Sequence, residues 1–381
     1  MSTQRADVII IGGGIMGAAT AFFLRKRGVS VILLERGLIG QQASGVNFGN
    51  VRRQGRCLDQ LPLANRSREI WGKLKELIGE DAEFLLSGHL RVGYRPEHVE
   101  RMEQHVLDTN PYGLGLQMLG AQALRKRFPY LGPEVIAGSY APNDGHANPR
   151  LAAPAFGRAA EREGAQVFEN TDIVEVEKES AGFRVTAADG RTFRAPAVLV
   201  TAGAWANRIS TSFGEPVPMV PKGPQMAVTE PVPYALAPVI GVATDQMAEG
   251  IYFRQVTRGN IVLGGCAREQ VDLEGRRACV NPRNTLHQFK ELQRVVPALK
   301  NLSVIRVWSG IESYTQDDRP VVGPSARVPG LYYAFGFSGE GFQLGPGVGD
   351  VMAELIATGA TTTPIGQYHI GRFTRLVKNA A

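Results

Sequence analysis

DVIIIGGGIMGAATAFFLRKRGVSVILLER, residues 7–36, sets an apolar run, a cluster of glycines and a helix-forming stretch in immediate succession. Val8 to Ile11 is a continuous β-branched run without polar alternation, the pattern of a strand buried on both faces of a parallel sheet. Gly12, Gly14 and Gly17 fit G-x-G-x-x-G. Ala18 to Arg27 predicts a helix with Ala19, Phe22 and Phe23 on its apolar face and Gly28 as its stop. A second buried run, Val31 to Leu34, closes on Glu35. The order is therefore strand, glycine turn, helix, strand, acid.

Each part has a mechanical reason. Gly12 permits the tight turn, Gly14 lets a pyrophosphate approach main-chain N–H groups at the positive helix end, and Gly17 lets the helix pack on the sheet. Glu35, eighteen residues after Gly17, can accept from a ribose 2′-hydroxyl. Together these read as a site for an ADP-containing dinucleotide rather than a structural glycine turn. A 2′-phosphate would be repelled by Glu35, which disfavours NADP and leaves FAD and NAD. The next stretch, GLIGQQASGVNFGNVRRQGR (37–56), is a glycine- and arginine-rich loop that suits a long cofactor laid along it.

With 381 residues, two intimately joined domains are expected. The composition, 44% hydrophobic and 20% charged, is that of a soluble globular chain. The net charge of +6 comes without a block of five like charges, so neither nucleic acid nor a membrane surface is an expected partner. Three cysteines (Cys57, Cys266, Cys279) show no C-x-x-C spacing and six histidines form no ligand pair, so no disulfide framework and no metal are expected. No apolar run approaches eighteen residues and no signal-like segment leads the first strand, which predicts no membrane span and a cytoplasmic location.

Further along, Leu63, Ile70, Leu74 and Leu77 predict an amphipathic helix within 58–78. A strand is expected at His89 to Tyr94, a charged helix at 96–108 and another helix at 149–163. Strands at 166–169 and 173–178, a hairpin turning at Asp189-Gly190 and a buried strand at 197–201 follow. Residues 215–315 predict a mostly antiparallel sheet with strands near 250–254 and 260–264 and a helix near 281–296. Last come a strand at Leu331 to Phe335, a glycine turn and a helix at 345–358.

The stretches IIIGGGIMGAATAFFLRKRG, VLVTAGAWA (198–206) and GLYYAFGFSGEGFQLGPGVGDVMAELI (330–356) carry a resemblance that spans nearly the whole chain. It resembles the D-amino-acid-oxidase-like FAD enzymes, which include glycine oxidase, sarcosine oxidase and the FAD subunits of opine and D-hydroxyproline dehydrogenases. The stretches ASGVNFGNVRRQGR and WSGIESYTQDDRPVVGP are most similar to the opine and hydroxyproline subunits. The resemblance implies an α/β fold in which a Rossmann-like FAD-binding domain is interleaved with an α+β substrate domain on a mostly antiparallel sheet. Residues 1–84, 147–214 and 316–381 would form the first, and 85–146 with 215–315 the second.

It also implies a cofactor path. Gly12, Gly14, Ile15, Met16, Gly17, Glu35 and Arg36 would hold the ADP part, with Ser44, Gly45, Asn47 and Gly49 along the pyrophosphate. Val174 would meet the adenine through its backbone, Ala202, Gly203 and Trp205 would line the cofactor, and Gly310, Gly336, Ser338, Gly339, Gly341, Phe342 and Gln343 would lie beside the flavin. Departures from the family pattern are informative. Many sarcosine oxidases attach FAD through a cysteine just before a Tyr-Thr pair such as Tyr314-Thr315, and Ile311-Glu312-Ser313 stands there instead, which implies non-covalent FAD. Glycine-oxidase-like members carry a substrate-binding arginine where Glu312 stands. The cationic landmarks of sarcosine oxidases are replaced by Gln343 and by Ile261-Val262-Leu263.

The implied reaction is oxidation of a C–N single bond by hydride transfer to flavin N5, giving an imine. Arg52, Arg56 and Arg254 are the candidate clamps for a substrate carboxylate, Tyr252 and Tyr314 can add hydroxyl contacts, and Glu312 can select the substrate. Three readings stay open: a dehydrogenase or oxidase of secondary or N-substituted amino acids, opine- or hydroxyproline-like; a stand-alone glycine, sarcosine or D-amino-acid oxidase; and an electron-relay FAD subunit. The expected partners are a small amine or amino acid, with partner subunits or a homo-oligomer open.

Overall fold

The apolar run Val8–Ile11 lies fully buried inside a six-stranded sheet in the computed structural model, which describes residues 3–373. The ends of the chain assigned to the first domain, 1–2 and 374–381, lie outside the described residues. Val8–Ile11 pairs in parallel with Ala197–Val200 on one side and Val31–Leu34 on the other. Leu331–Phe335 and Gln166–Phe168 extend the sheet in parallel, and Val321–Pro324 closes one edge antiparallel. One face is covered by the helices Ile15–Lys26, Pro149–Arg162 and Gly341–Thr358. The other packs against a smaller sheet of Gln4–Arg5, Thr192–Ala195, Gly182–Ala187 and Ile173–Glu179, whose hairpin turns at Gly190. Burial of both faces explains why the strand runs carry no polar alternation.

A nine-stranded sheet draws His89–Gly93, Gln117–Gly120 and Ala137–Ala141 from one stretch of chain. Met219–Pro231, Val239–Val242, Ile251–Gln255, Asn260–Glu269, Val304–Ser309 and Glu312–Thr315 come from a later one. Its pairings are antiparallel except that of Val239–Val242 with His89–Gly93. The expected α/β arrangement with a second, mostly antiparallel sheet is the one observed. Helix Pro282–Val295 backs this sheet, capped by the Asn281 side chain, which accepts from Arg283 N–H.

Two helices differ from the sequence expectation. The amphipathic pattern of 58–78 is divided into a 3-10 turn, Leu58–Gln60, and helices Leu61–Gly72 and Leu74–Ile78. The chain leaves helical geometry at Lys73, next to Gly72, a residue with little helix preference, and Leu77 ends 38% exposed rather than on the core face. The last helix starts at Gly341, four residues before the expected Gly345, because its glycines serve packing and not a loop. A Cβ on Gly345 would sit 2.6 Å from Ile15, one on Gly347 2.6 Å from Ser67 and one on Gly349 2.5 Å from Ala19. The helix Gly341–Thr358 thus presses directly on the helix that follows the first glycine turn.

Close packing there is testable. Gly349→Ala is expected to cost about 1–3 kcal/mol, read as a lower thermal midpoint, because the Ala19 backbone cannot yield. Gly366→Ala, where a Cβ meets nothing within 4 Å, is expected to stay within about 0.5 kcal/mol of the parent. Equal stabilities of the two variants would remove the packing account.

Candidate active site

A cavity of about 820 Å3 begins at the carboxyl ends of the parallel strands and runs to the nine-stranded sheet. At its first end the glycine turn takes three distinct roles. Gly12 has φ +110° and a Cβ there would lie 2.6 Å from the Thr201 carbonyl oxygen, so only glycine turns here. Gly14 faces the cavity and meets only Ser44 Oγ, at 3.1 Å. Ser44 Oγ in turn accepts from Ile15 N–H at 2.9 Å. Glu35 accepts from Gly13 N–H at 2.6 Å and Gly37 N–H at 2.7 Å, one bond per carboxylate oxygen. Each oxygen keeps a lone pair for a further donor.

Ile15, Met16, Arg36, Asn47, Gly49, Val174, Ala202, Gly203 and Trp205 also line this half. The Arg36 guanidinium lies 4.7 Å above the Trp205 ring, whose Nε1 donates to the Leu273 carbonyl at 3.0 Å. The register shifts between Ile173 and Glu175, leaving Val174 without a residue opposite it. Asn47 folds the glycine-rich loop, donating to the Ala43 and Ser44 carbonyls and accepting from Gly49 N–H. Gly336, Ser338, Gly339, Gly341, Phe342 and Gln343 line the middle, with Ser338 held at φ +49° while its Oγ accepts from Thr315 N–H.

Four expected site residues lie outside the cavity wall. Gly17 would place a Cβ 2.0 Å from the Gly12 carbonyl, Gly45 one 2.3 Å from the Gly40 carbonyl and Gly310 one 2.2 Å from Val46, so all three are packing glycines. Arg254 does not reach the cavity as expected. It is buried, donates to the Phe48 carbonyl at 2.8 Å and contacts His146 Nδ1 at 3.1 Å, so it braces the loop and has no fork to offer a substrate.

At the far end, one cross-strand row makes the floor. Arg91 and Tyr252 both stand in register with Gly241, on either side of it. The Tyr252 ring leans away, over Gly264, where an added Cβ would be 2.7 Å from it, and its hydroxyl lies 3.9 Å from the Met226 sulfur. Gly241 is therefore bare floor between a guanidinium and a phenol. The Arg91 guanidinium packs on Gly55, whose hypothetical Cβ would be 2.6 Å from Arg91 Nη1 and 3.4 Å from Arg52 Nη1. Arg52 and Arg56 share one carboxylate, Glu340, at 2.6 and 2.8 Å. Among the described residues Arg91 has no ion-paired or hydrogen-bonded partner.

Electrostatics follow from this imbalance. Burial pulls Arg56 and Arg91 down to about 10, Arg52 reinforcing both shifts, while Glu340 is held below the usual carboxylate range because its two arginines outweigh burial. His89, buried on the same strand as Arg91, is held well below the ordinary imidazole value by burial and by Arg52 and Arg91. Glu312 and Tyr314 line another wall, the Tyr314 hydroxyl donating to Glu312 Oε2 at 2.7 Å, with the Arg268 guanidinium 4.5 Å from the Tyr314 ring. Burial raises the Glu312 carboxyl.

Arg91, His89, Gly241 and Glu340 were not singled out from the sequence. The alternation in HLRVG (89–93) already put His89 and Arg91 on one strand face, but nothing local said which face looks into a cavity.

The shared ion pair yields a prediction. Glu340→Gln leaves buried Arg56 without a counter-charge and is expected to cost about 3 kcal/mol at neutral pH, read by thermal or denaturant unfolding. Because the Glu340 carboxyl is lowered in the fold, its contribution is full above the unfolded value and fades as pH falls through the folded one. The gap between parent and variant should therefore narrow below about pH 4, and a gap that widened there would contradict the pairing.

A profile of the DAO family, FAD dependent oxidoreductase, matches residues 7–355. The glycine oxidase of Geobacillus kaustophilus (strain HTA426) is 30% identical over 383 residues, covering 97% of this chain and 99% of that protein. An opine oxidase subunit of Rhizobium meliloti is 26% identical over 378 residues, covering 96% and 97%. The crystal structure of L-proline dehydrogenase from P. horikoshii superposes with a TM-score of 0.91 at 29% identity, covering 98% of this chain and 99% of that one. With the turn, the cavity and the two sheets in these positions, the chain belongs to the DAO family of FAD-dependent oxidoreductases.

Proposed function

We propose that this protein oxidises the C–N bond of a secondary or N-substituted amino acid, opine- or hydroxyproline-like, with non-covalent FAD. The observation that carries the reading is Arg91, a guanidinium without an ion-pair partner among the described residues, on the wall of a cavity that also holds a dinucleotide turn. The residues present fit FAD. The cavity volume suits an extended dinucleotide together with a small substrate, Gly14 opens onto it, and the buried amide oxygens of Gln343 and Asn50 on its wall have no partner among the described residues. Among the described residues no cysteine lines it, which supports non-covalent binding. We assign the segments 1–84, 147–214 and 316–381 to cofactor binding and 85–146 with 215–315 to the substrate.

When bound, FAD supplies the two-electron acceptor that takes a hydride from the carbon bearing the amine, leaving an imine that water hydrolyses. Arg91 holds the substrate carboxylate through its fork, in place of the expected Arg56 and Arg254, whose donors are committed. Arg52, held by Glu340, adds positive potential that favours the amine in its neutral, oxidisable form. Gly241 gives the substrate room and Tyr252 closes the row. Glu312 attracts a cationic part of an N-substituent and disfavours a second carboxylate beside it. This separation of basic and acidic walls supports an extended N-substituted substrate over glycine.

The stand-alone oxidase remains the second reading. Against it, Val262 packs against the buried cluster of Phe48, Met226 and Val239, so the strand position where sarcosine oxidases carry a lysine is apolar. The similarity to an opine oxidase subunit supports a partner chain, and the free state of Cys57, Cys266 and Cys279 supports the cytoplasm.

Anaerobic titration following flavin absorbance tests the reading. Octopine, proline or hydroxyproline should bleach the flavin and glycine should do so poorly; a flavin bleached by glycine alone would favour the second reading. Arg91→Gln should raise the half-saturating concentration about tenfold or more, and an unchanged value would remove Arg91 as the clamp. Acid precipitation should leave the flavin in the supernatant. Reduced flavin should pass electrons to an artificial dye faster than to air, and equal rates would contradict the apolar-site argument.

A further inference from the structure

Strand His89–Gly93 presents His89 and Arg91 to the same cavity, spaced roughly 6.6 Å along the strand. The imidazole is fixed from behind. Gln54 Nε2 donates to the Ser139 carbonyl at 2.9 Å and to Ser139 Oγ at 2.7 Å, which turns Gln54 Oε1 toward His89 Nδ1, 3.0 Å away. An amide oxygen only accepts, so the proton sits on Nδ1 and Nε2 carries the lone pair. Nε2 has no partner among the described residues.

The neighbourhood decides what that lone pair can meet. Arg52 and Arg91 repel an ammonium group, and Glu340 is already committed to Arg52 and Arg56. A carboxylate brings no proton to donate. A neutral donor fits, and on a ligand whose carboxylate lies at Arg91 and whose amine is the group to be oxidised, a hydroxyl supplies it.

We propose that His89 Nε2 accepts a hydrogen bond from a substrate hydroxyl, so that the site selects hydroxylated acids over their deoxy counterparts. The proposal rests on Arg91 as the carboxylate clamp. Ser139 and Gln54 are positioning residues, which act only by holding the imidazole tautomer. Burial and the two guanidiniums keep the imidazole neutral, so the acceptor persists through the physiological pH range.

The test uses the FAD-loaded protein with two acids that have no amine, butyrate and 4-hydroxybutyrate. Binding is read from the perturbed flavin spectrum and from the rise in thermal midpoint. The parent should bind 4-hydroxybutyrate about three- to tenfold more tightly, the effect of one neutral hydrogen bond. His89→Phe should equalise the two acids, His89→Gln should keep the preference by retaining an acceptor, and Gln54→Leu should weaken it. Arg91→Gln should weaken both acids alike. FAD content and the ligand-free midpoint check that each variant is folded.

Equal binding of the two acids to the parent, a preference that survives His89→Phe, or no response to either acid would overturn the proposal. These outcomes are separate from the failure of the oxidation reading. A hydroxyl preference in a protein whose flavin no amine bleaches supports the His89 contact while refuting amine oxidation. Bleaching by amines without any hydroxyl preference does the reverse.

Discussion

Glu340 holds two guanidiniums, and much of the site depends on that. It sits at the start of the helix Gly341–Thr358, while Arg52 and Arg56 belong to the loop that leads from the second parallel strand toward the nine-stranded sheet. The pair therefore ties the loop over the cavity to the helix whose glycines press on Ile15 and Ala19 behind the dinucleotide turn. A single acid couples the position of the loop to both helix starts that face the cavity. Lengthening or neutralising that side chain should loosen the whole rim, since Arg56 is too deeply buried to find water instead.

The same acid leaves a charge deficit. Arg52, Arg56 and Arg91 bring three positive charges to one wall, and Glu340 offsets one of them. Nearby histidines respond by staying neutral: His89 is bound to Gln54, and His105 accepts from Gly55 N–H, both depressed by burial and by these arginines. A wall with surplus positive charge and neutral acceptors is pre-arranged for an anionic ligand, which meets its ion partner without the protein having to move one in. Tyr252 leaning over Gly264 keeps Gly241 clear, so the anion has both a counter-charge and space.

Much of the fold was legible because its signals are local. The strands around Val8–Ile11 and Leu331–Phe335 and the Asp189-Gly190 hairpin each rest on a few adjacent residues. The site was only half legible for the opposite reason. The turn glycines and the packing role of Gly17 could be placed from spacing, whereas Gly45 and Gly310 serve packing against a carbonyl within the loop and a side chain distant in sequence. Arg254 shares a strand face with Tyr252, yet Phe48 and His146 take its donors, and no pattern within GIYFRQ announces those neighbours. Arg91 acquires meaning only from what it lacks, and an absent partner is a property of the assembled sheet and loop. The break at Lys73 belongs to the same class, since the apolar spacing there continues through the residue at which the helix is interrupted.

The central claim is that Arg91 is the counter-charge for the substrate. The most direct measurement is a crystal structure of the FAD-bound protein with a non-oxidisable carboxylate, such as tetrahydro-2-furoate. The account predicts both carboxylate oxygens within hydrogen-bond distance of the Arg91 guanidinium, with the ligand body over Gly241 and the Arg52–Glu340 pair intact. A carboxylate bound at Arg268 or displacing Glu340 from Arg52, with Arg91 left unpaired, would contradict it.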